Sequence, residues 1–72
     1  MTEIKISTEF IKLDQFLKFS GISINGAEAK DMILCGIVFV NGEKEERRGR
    51  KLYAGDTVKI CFEDEDCELK VV

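Results

Sequence analysis

The stretch Gly36-Ile37-Val38-Phe39-Val40-Asn41-Gly42-Glu43 limits the folds open to this chain more than any other. Four consecutive apolar residues run straight into Asn-Gly, a pair suited to a tight hairpin because both central positions of such a turn need φ > 0. The chain must reverse direction there. Just past the reversal comes Glu46-Arg47-Arg48-Gly49-Arg50-Lys51, in which four of the five residues from Arg47 to Lys51 are basic. A rigid turn that presents a cluster of guanidinium groups is the main functional clue.

That cluster sits in a chain of net charge −3, so the distribution of charge matters more than its sum. Residues 1–40 carry net −1, residues 41–51 net +2 and residues 52–72 net −4. If the middle segment and the acidic turn Glu63-Asp64-Glu65-Asp66 face different ways, a basic face coexists with an acidic whole. The alternative is a solvated surface with no field of consequence. With 72 residues there is one domain, residues 1–72, and a domain this small buries only about 60% of the surface its unfolded chain exposes. A deep substrate cleft is therefore not expected. Apolar residues at 44% and charged residues at 35% are the proportions of a folded globular chain.

The N-terminus Met1-Thr2-Glu3-Ile4-Lys5 is no signal peptide, and no apolar run approaches the roughly 20 residues that span a bilayer. Three cysteines cannot pair completely, which points to a reduced, cytoplasmic protein. Cys35 and one of Cys61 and Cys67 are expected to serve as small core hydrophobes. With no histidine and no Cys-x-x-Cys, no metal or other cofactor is expected.

In chain order, Glu3-Ile4-Lys5-Ile6-Ser7 alternates as a half-buried strand does, and its expected partner is a C-terminal strand at Thr57–Phe62, with Val58, Ile60 and Phe62 on one face. Cys67–Val72 alternates again through Leu69 and Val71, so these two C-terminal runs form a hairpin around the acidic turn. Between the ends lie two helices. Leu13, Phe16, Leu17 and Phe19 share one side of the first, with Asp14 in its first turn and Lys18 four residues on. Ser20-Gly21 ends it. Asn25-Gly26-Ala27-Glu28 opens the second as a capping box with Asn in the capping position. Ala29, Met32 and Ile33 are its buried stripe, Lys30 and Asp31 face water, and Gly36 is placed to end it in the left-handed conformation. Gly55-Asp56 makes the last turn. The whole is one α+β unit without repeat or linker.

Taken together, Lys12-Leu13-Asp14-x-x-Leu17, Gly21, Asn25-Gly26-x-x-Ala29-Lys30, Gly36-x-Val38-x-Val40-Asn41-Gly42 and Gly55-Asp56-x-Val58 resemble the S4 RNA-binding domain, over a core of about residues 11–60. The pattern is similar above all to the small free-standing bacterial S4-like proteins. The resemblance implies the S4-like, or alpha-L, fold: two helices packed on a small, mostly antiparallel sheet of about four to five strands. It also implies RNA binding without catalysis. Two positions depart from the family pattern. Lys12 stands where most members have Arg, and Asn25-Gly26 replaces Ser-Arg, which moves weight from the helix face to the basic loop.

Structured RNA is read largely through its backbone and shape, so a fixed array of cations serves better than a pocket. Lys12, Lys18, Lys30, Arg47, Arg48, Arg50 and Lys51 are the candidate array. The helix start at Asn25-Gly26 would offer free N–H groups to a phosphate, and Gly26 and Gly49 would allow close approach. Asn41 is a further candidate, although the hairpin turn alone explains it. Each cation also has an ordinary reading: Lys18 pairs with Asp14, Lys30 is merely solvated, and the arginines are neutralised by Glu43, Glu45 and Glu46 in surface pairs that a phosphate displaces at little cost. Tyr53 is either a stacking surface for an unpaired base or a partly buried neighbour of Leu52. The expected partner is structured RNA, ribosomal or transfer RNA first, with the ribosome or a protein as a further partner; no membrane or small-molecule substrate is expected, and the chain is read as a monomer. The rival functions are a protein-interaction module docking on a ribosomal or replication partner, a β-grasp sulfur carrier, which the C-terminal Lys70-Val71-Val72 argues against, and an enzyme, for which no titrating group in a sheltered site is in view.

Overall fold

The computed structural model describes residues 1–72. In chain order the elements are β1 (Thr2–Ile4), β2 (Ile11–Lys12), α1 (Leu13–Phe19), α2 (Gly26–Leu34), β3 (Val38–Val40), β4 (Glu43–Lys44), β5 (Lys51–Leu52), β6 (Thr57–Cys61) and β7 (Asp66–Val71). Five strands form one sheet in the order β1-β7-β6-β3-β4, and β2 pairs separately with β5. The Asn-Gly reversal joins β3 to β4 with Val40 opposite Glu43, and both turn residues take positive φ, 52° at Asn41 and 87° at Gly42. Only a sequence tolerant of that conformation closes so short a hairpin.

Alternation along the central strands builds the core. Val38 and Val40 of β3, Val58 and Ile60 of β6, and Leu69 and Val71 of β7 are buried, as are Leu13, Phe16 and Leu17 of α1, Ala29 and Ile33 of α2, and Leu52 of β5. Alternate residues of a strand share a face, so three neighbouring strands contribute two residues each to one apolar sheet surface, and the helices cover it. At the end of α2, Cys35 is the C-cap and Gly36 follows at φ 79°, its N–H bonded to the Ile33 carbonyl at 3.1 Å. That turn delivers the chain directly into β3.

Several expectations are corrected. The N-terminal strand is shorter, Thr2–Ile4, and pairs in parallel with β7, not with the strand at Thr57–Phe62. The reason is topological: β6 already has β3 on one edge and β7 on the other, so the free edge of β7 is the one available. Phe19 is 62% exposed, because it lies at the margin of the stripe on a helix of under two turns. Phe62 lies beyond the last paired residue of β6 and is also exposed. Cys35 is exposed at the α2 end and not a core residue; Cys61 and Cys67 are half-buried, and all three thiols are free. Met32 is half-buried, at the edge of the stripe on α2.

Candidate nucleic-acid interface

The basic loop between β4 and β5 is held by three sets of contacts, and together they decide which of its charges face outward. The first is the β2–β5 ribbon. Ile11 pairs with Leu52, turned toward the core, and Lys12 pairs with Lys51. Residues directly opposite in an antiparallel pair project on the same side, so Lys12 and Lys51 leave the ribbon on one face, a pairing of like charges that does not favour the free protein. Lys51 Nζ also lies 4.8 Å from the centre of the Phe10 ring.

The second set fastens the loop to α1. Lys12 caps that helix without a side-chain hydrogen bond. The orphan donors of the first turn are met by the loop instead: Leu13 N–H donates to the Arg50 carbonyl at 2.8 Å, and Asp14 N–H to the Arg48 carbonyl at 3.0 Å. The Asp14 carboxylate accepts from Gln15 N–H at 2.8 Å. Arg48 and Arg50 are thereby drawn to the helix end beside Lys12.

The third set centres on Glu45, whose side chain is only 6% exposed. Its carboxylate accepts from Arg47 Nε at 3.0 Å, Arg47 Nη2 at 3.1 Å, Arg50 Nη1 at 2.8 Å and the Arg47 backbone N–H at 3.0 Å. Those contacts hold the carboxyl at about 2, against its ordinary 4.5. The hydrogen bonds from Arg47 do most of this, against the upward push of burial, and Arg50 adds to them. The same contacts raise the pKa of Arg47. The expected easily displaced surface pairs are therefore corrected: Glu43 and Glu46 form no ion pair with the loop, and the glutamate that does is buried.

Apart from Glu45 with its two arginines, the protein has one ion pair, Lys59 with Asp66. Lys12, Lys18, Lys30, Arg48 and Lys51 thus have no carboxylate partner, and the expected Lys18–Asp14 pair is absent. Lys12, Arg48 and Lys51 lie together around the start of α1. Lys18 is exposed further along that helix, and Lys30 is exposed on α2, outside the contacts that gather the others.

At the start of α2 the Asn25 side chain accepts from Glu28 N–H at 2.8 Å, as a capping residue should. The returning bond differs from the expected box: Glu28 Oε1 accepts from Ile24 N–H at 3.1 Å, not from Asn25. Gly26 and Ala27 keep unpartnered N–H groups, with the Glu28 carboxylate close to the same helix end. Asn41 uses its side chain internally, donating to Asp56 Oδ1 at 3.1 Å and accepting from Thr57 N–H at 2.9 Å, which ties the hairpin to the Gly55-Asp56 turn. Gly49 is exposed with open space where a side chain would be.

Reading the sequence alone missed Glu45 as the organiser of the loop and Phe10 as the partner of Lys51. Nothing in the local pattern separates Glu45 from the glutamates beside it. The run Phe10-Ile11-Lys12 before the first helix did carry a strand signal, too short to stand out.

Two helices over a small sheet, with a charged ribbon strapped to the start of the first helix, define an S4 domain. A family model of that description matches residues 4–70, and the chain belongs to the family. Its sequence is similar to Probable ribosome maturation protein RlbA of Bacillus subtilis (strain 168), with 49% identity over 57 residues, covering 79% of this chain and 80% of the relative.

Proposed function

We propose that this protein is a non-catalytic RNA-binding protein that grips the phosphate backbone of structured RNA through Lys12, Arg48 and Lys51, with Arg47 and Arg50 contributing the donors that Glu45 leaves free. The observation that carries this is the Lys12–Lys51 pair, two cations opposite each other in the ribbon and neither of them in an ion pair. An arrangement that repels itself in the free protein is relieved when a phosphate bridges it. Membership of the S4 family and similarity to a relative whose name places it in ribosome maturation both support RNA as the ligand, and ribosomal RNA before other kinds. Lys18 and Lys30 extend the reach of the surface along the helices, and the free N–H groups of Gly26 and Ala27 offer a weaker contact, opposed by Glu28.

Backbone contacts position an RNA without reporting its sequence, so the expected binding is shape-dependent and steeply salt-sensitive. The test is a titration against an RNA stem-loop and a DNA duplex of the same stem sequence at several salt concentrations. Preferential RNA binding that weakens with salt supports the reading. Binding to neither nucleic acid at low salt refutes it.

A further inference from the structure

Two aromatic side chains flank the ribbon and carry no charge with which to hold a phosphate themselves. Phe10, just before β2, and Tyr53, just after β5, bring their ring centres to 6.0 Å at an interplanar angle of 49°. Tyr53 is 45% exposed and not the partly buried residue that its position beside Leu52 implied. Its backbone is fixed: the N–H donates to Asp56 Oδ2 at 2.8 Å, and the carbonyl accepts from Asp56 N–H at 3.0 Å. Phe10 also borders an open groove of about 300 Å³, whose walls include Ile11, Gln15 and Phe19. A single exposed aromatic residue is ordinary on a protein surface. Here an exposed ring on a fixed turn is braced by a second ring, and Lys51, whose ribbon partner is Lys12, sets its ammonium 4.8 Å from the centre of that second ring.

We propose that Tyr53, braced by Phe10, is a stacking platform for one unpaired base of the bound RNA, whose adjoining phosphate is held by Lys12 and Lys51. This rests on the RNA-binding reading and narrows it to an RNA element with an unpaired base: a loop, bulge or single-stranded end, since a base inside a helix has no free face to offer. An aromatic face accepts any base, and a cation beside it selects a ligand that carries an anion a short stretch of backbone away, which a nucleotide does. An apolar peptide lacks the anion. An acidic peptide offers a planar face only where it also carries an aromatic residue, whereas every nucleotide carries both groups.

The chain has one tyrosine and no tryptophan, so Tyr53→Trp creates a unique fluorescent reporter that keeps the aromatic face. The probes are an RNA stem-loop with an adenosine loop and a blunt RNA duplex of the same stem. The expected result is quenching of Trp emission by the stem-loop and much less by the duplex. Tyr53→Leu is expected to lose affinity for the stem-loop on the order of ten-fold, with little change for the duplex, while Tyr53→Phe retains native affinity. Stem-loop binding that leaves the emission unchanged overturns the platform and leaves the RNA-binding reading standing, as does an equal loss for both probes in Tyr53→Leu. Failure of the native protein to bind either RNA overturns both.

Discussion

Two charged connections in this protein behave in opposite ways. The segment from Glu45 to Arg50 and the segment from Glu63 to Asp66 are each nearly all charged, and each joins strands that border the same core. In the first, one carboxylate is buried and receives two guanidinium groups, and the backbone is bonded to the start of α1. In the second, the carboxylates stand in water; the turn is closed by Phe62 N–H on the Glu65 carbonyl at 2.9 Å, and its one ion pair, Lys59 with Asp66 at 3.4 Å, is exposed on both sides. Asp66 still raises the pKa of Lys59, but a solvated pair of that kind adds little to stability. A run of charge becomes an organised surface when buried contacts hold its backbone and decide which charges are neutralised. Without such contacts it remains a soluble turn.

Glu45→Ala is expected to break the contrast most. It removes a buried acceptor from two arginines that can still reach water, so the loss should be about 2 kcal/mol, below the full penalty of an isolated buried charge. In a domain of this size that lowers the thermal midpoint by roughly 8–16 °C. Amide exchange should accelerate in the loop and at Leu13 and Asp14, whose N–H groups bond to it, and not at the acidic turn.

Acid titration makes the same point more gently. The folded-state pKa of Glu45 is depressed, so its contribution is complete above about pH 4.5 and drains as pH falls toward about 2. Native protein should lose stability across that window, and Glu45→Gln should flatten the profile there. Equal acid sensitivity in the two proteins would show that the carboxylate is not what holds the loop.

Asp66→Asn probes the other region. It should leave the thermal midpoint within about 2 °C of the native value. A drop comparable to that of Glu45→Ala would erase the distinction between the two connections. Smaller still, and opposite in sign, is Lys12→Gln, which relieves the repulsion from Lys51. Unfolding in urea should show a gain of a few tenths of a kcal/mol, with weaker RNA binding in the same variant.

Features set by near neighbours in the chain are legible in the sequence itself. The Asn41-Gly42 reversal, the Asn25 cap, the span Leu13–Phe19 and the turn at Gly36 each depend on residues within about four positions, and each lies where the pattern puts it. Features set by pairing between distant segments are not. The Glu45 N–H reaches the Val38 carbonyl at 3.0 Å beside β4, and the carboxylate sits buried there, so its role depends on strand register and not on composition. The same holds for Lys12 and Lys51, which are adjacent only through the ribbon, and for β1, whose partner is decided by which sheet edge remains open. The candidate cations can be named from the sequence. Which of them lack a counter-ion cannot.

The most direct test of the central claim is the salt dependence of stem-loop RNA binding by the native protein and by Lys12→Ala/Lys51→Ala. If the ribbon pair neutralises phosphate, the slope of log K against log salt should become shallower by about 0.7–0.9 for each phosphate no longer neutralised, while the fold remains intact because both side chains are exposed. An unchanged slope in a folded variant would place the phosphate-binding cations elsewhere and contradict the account.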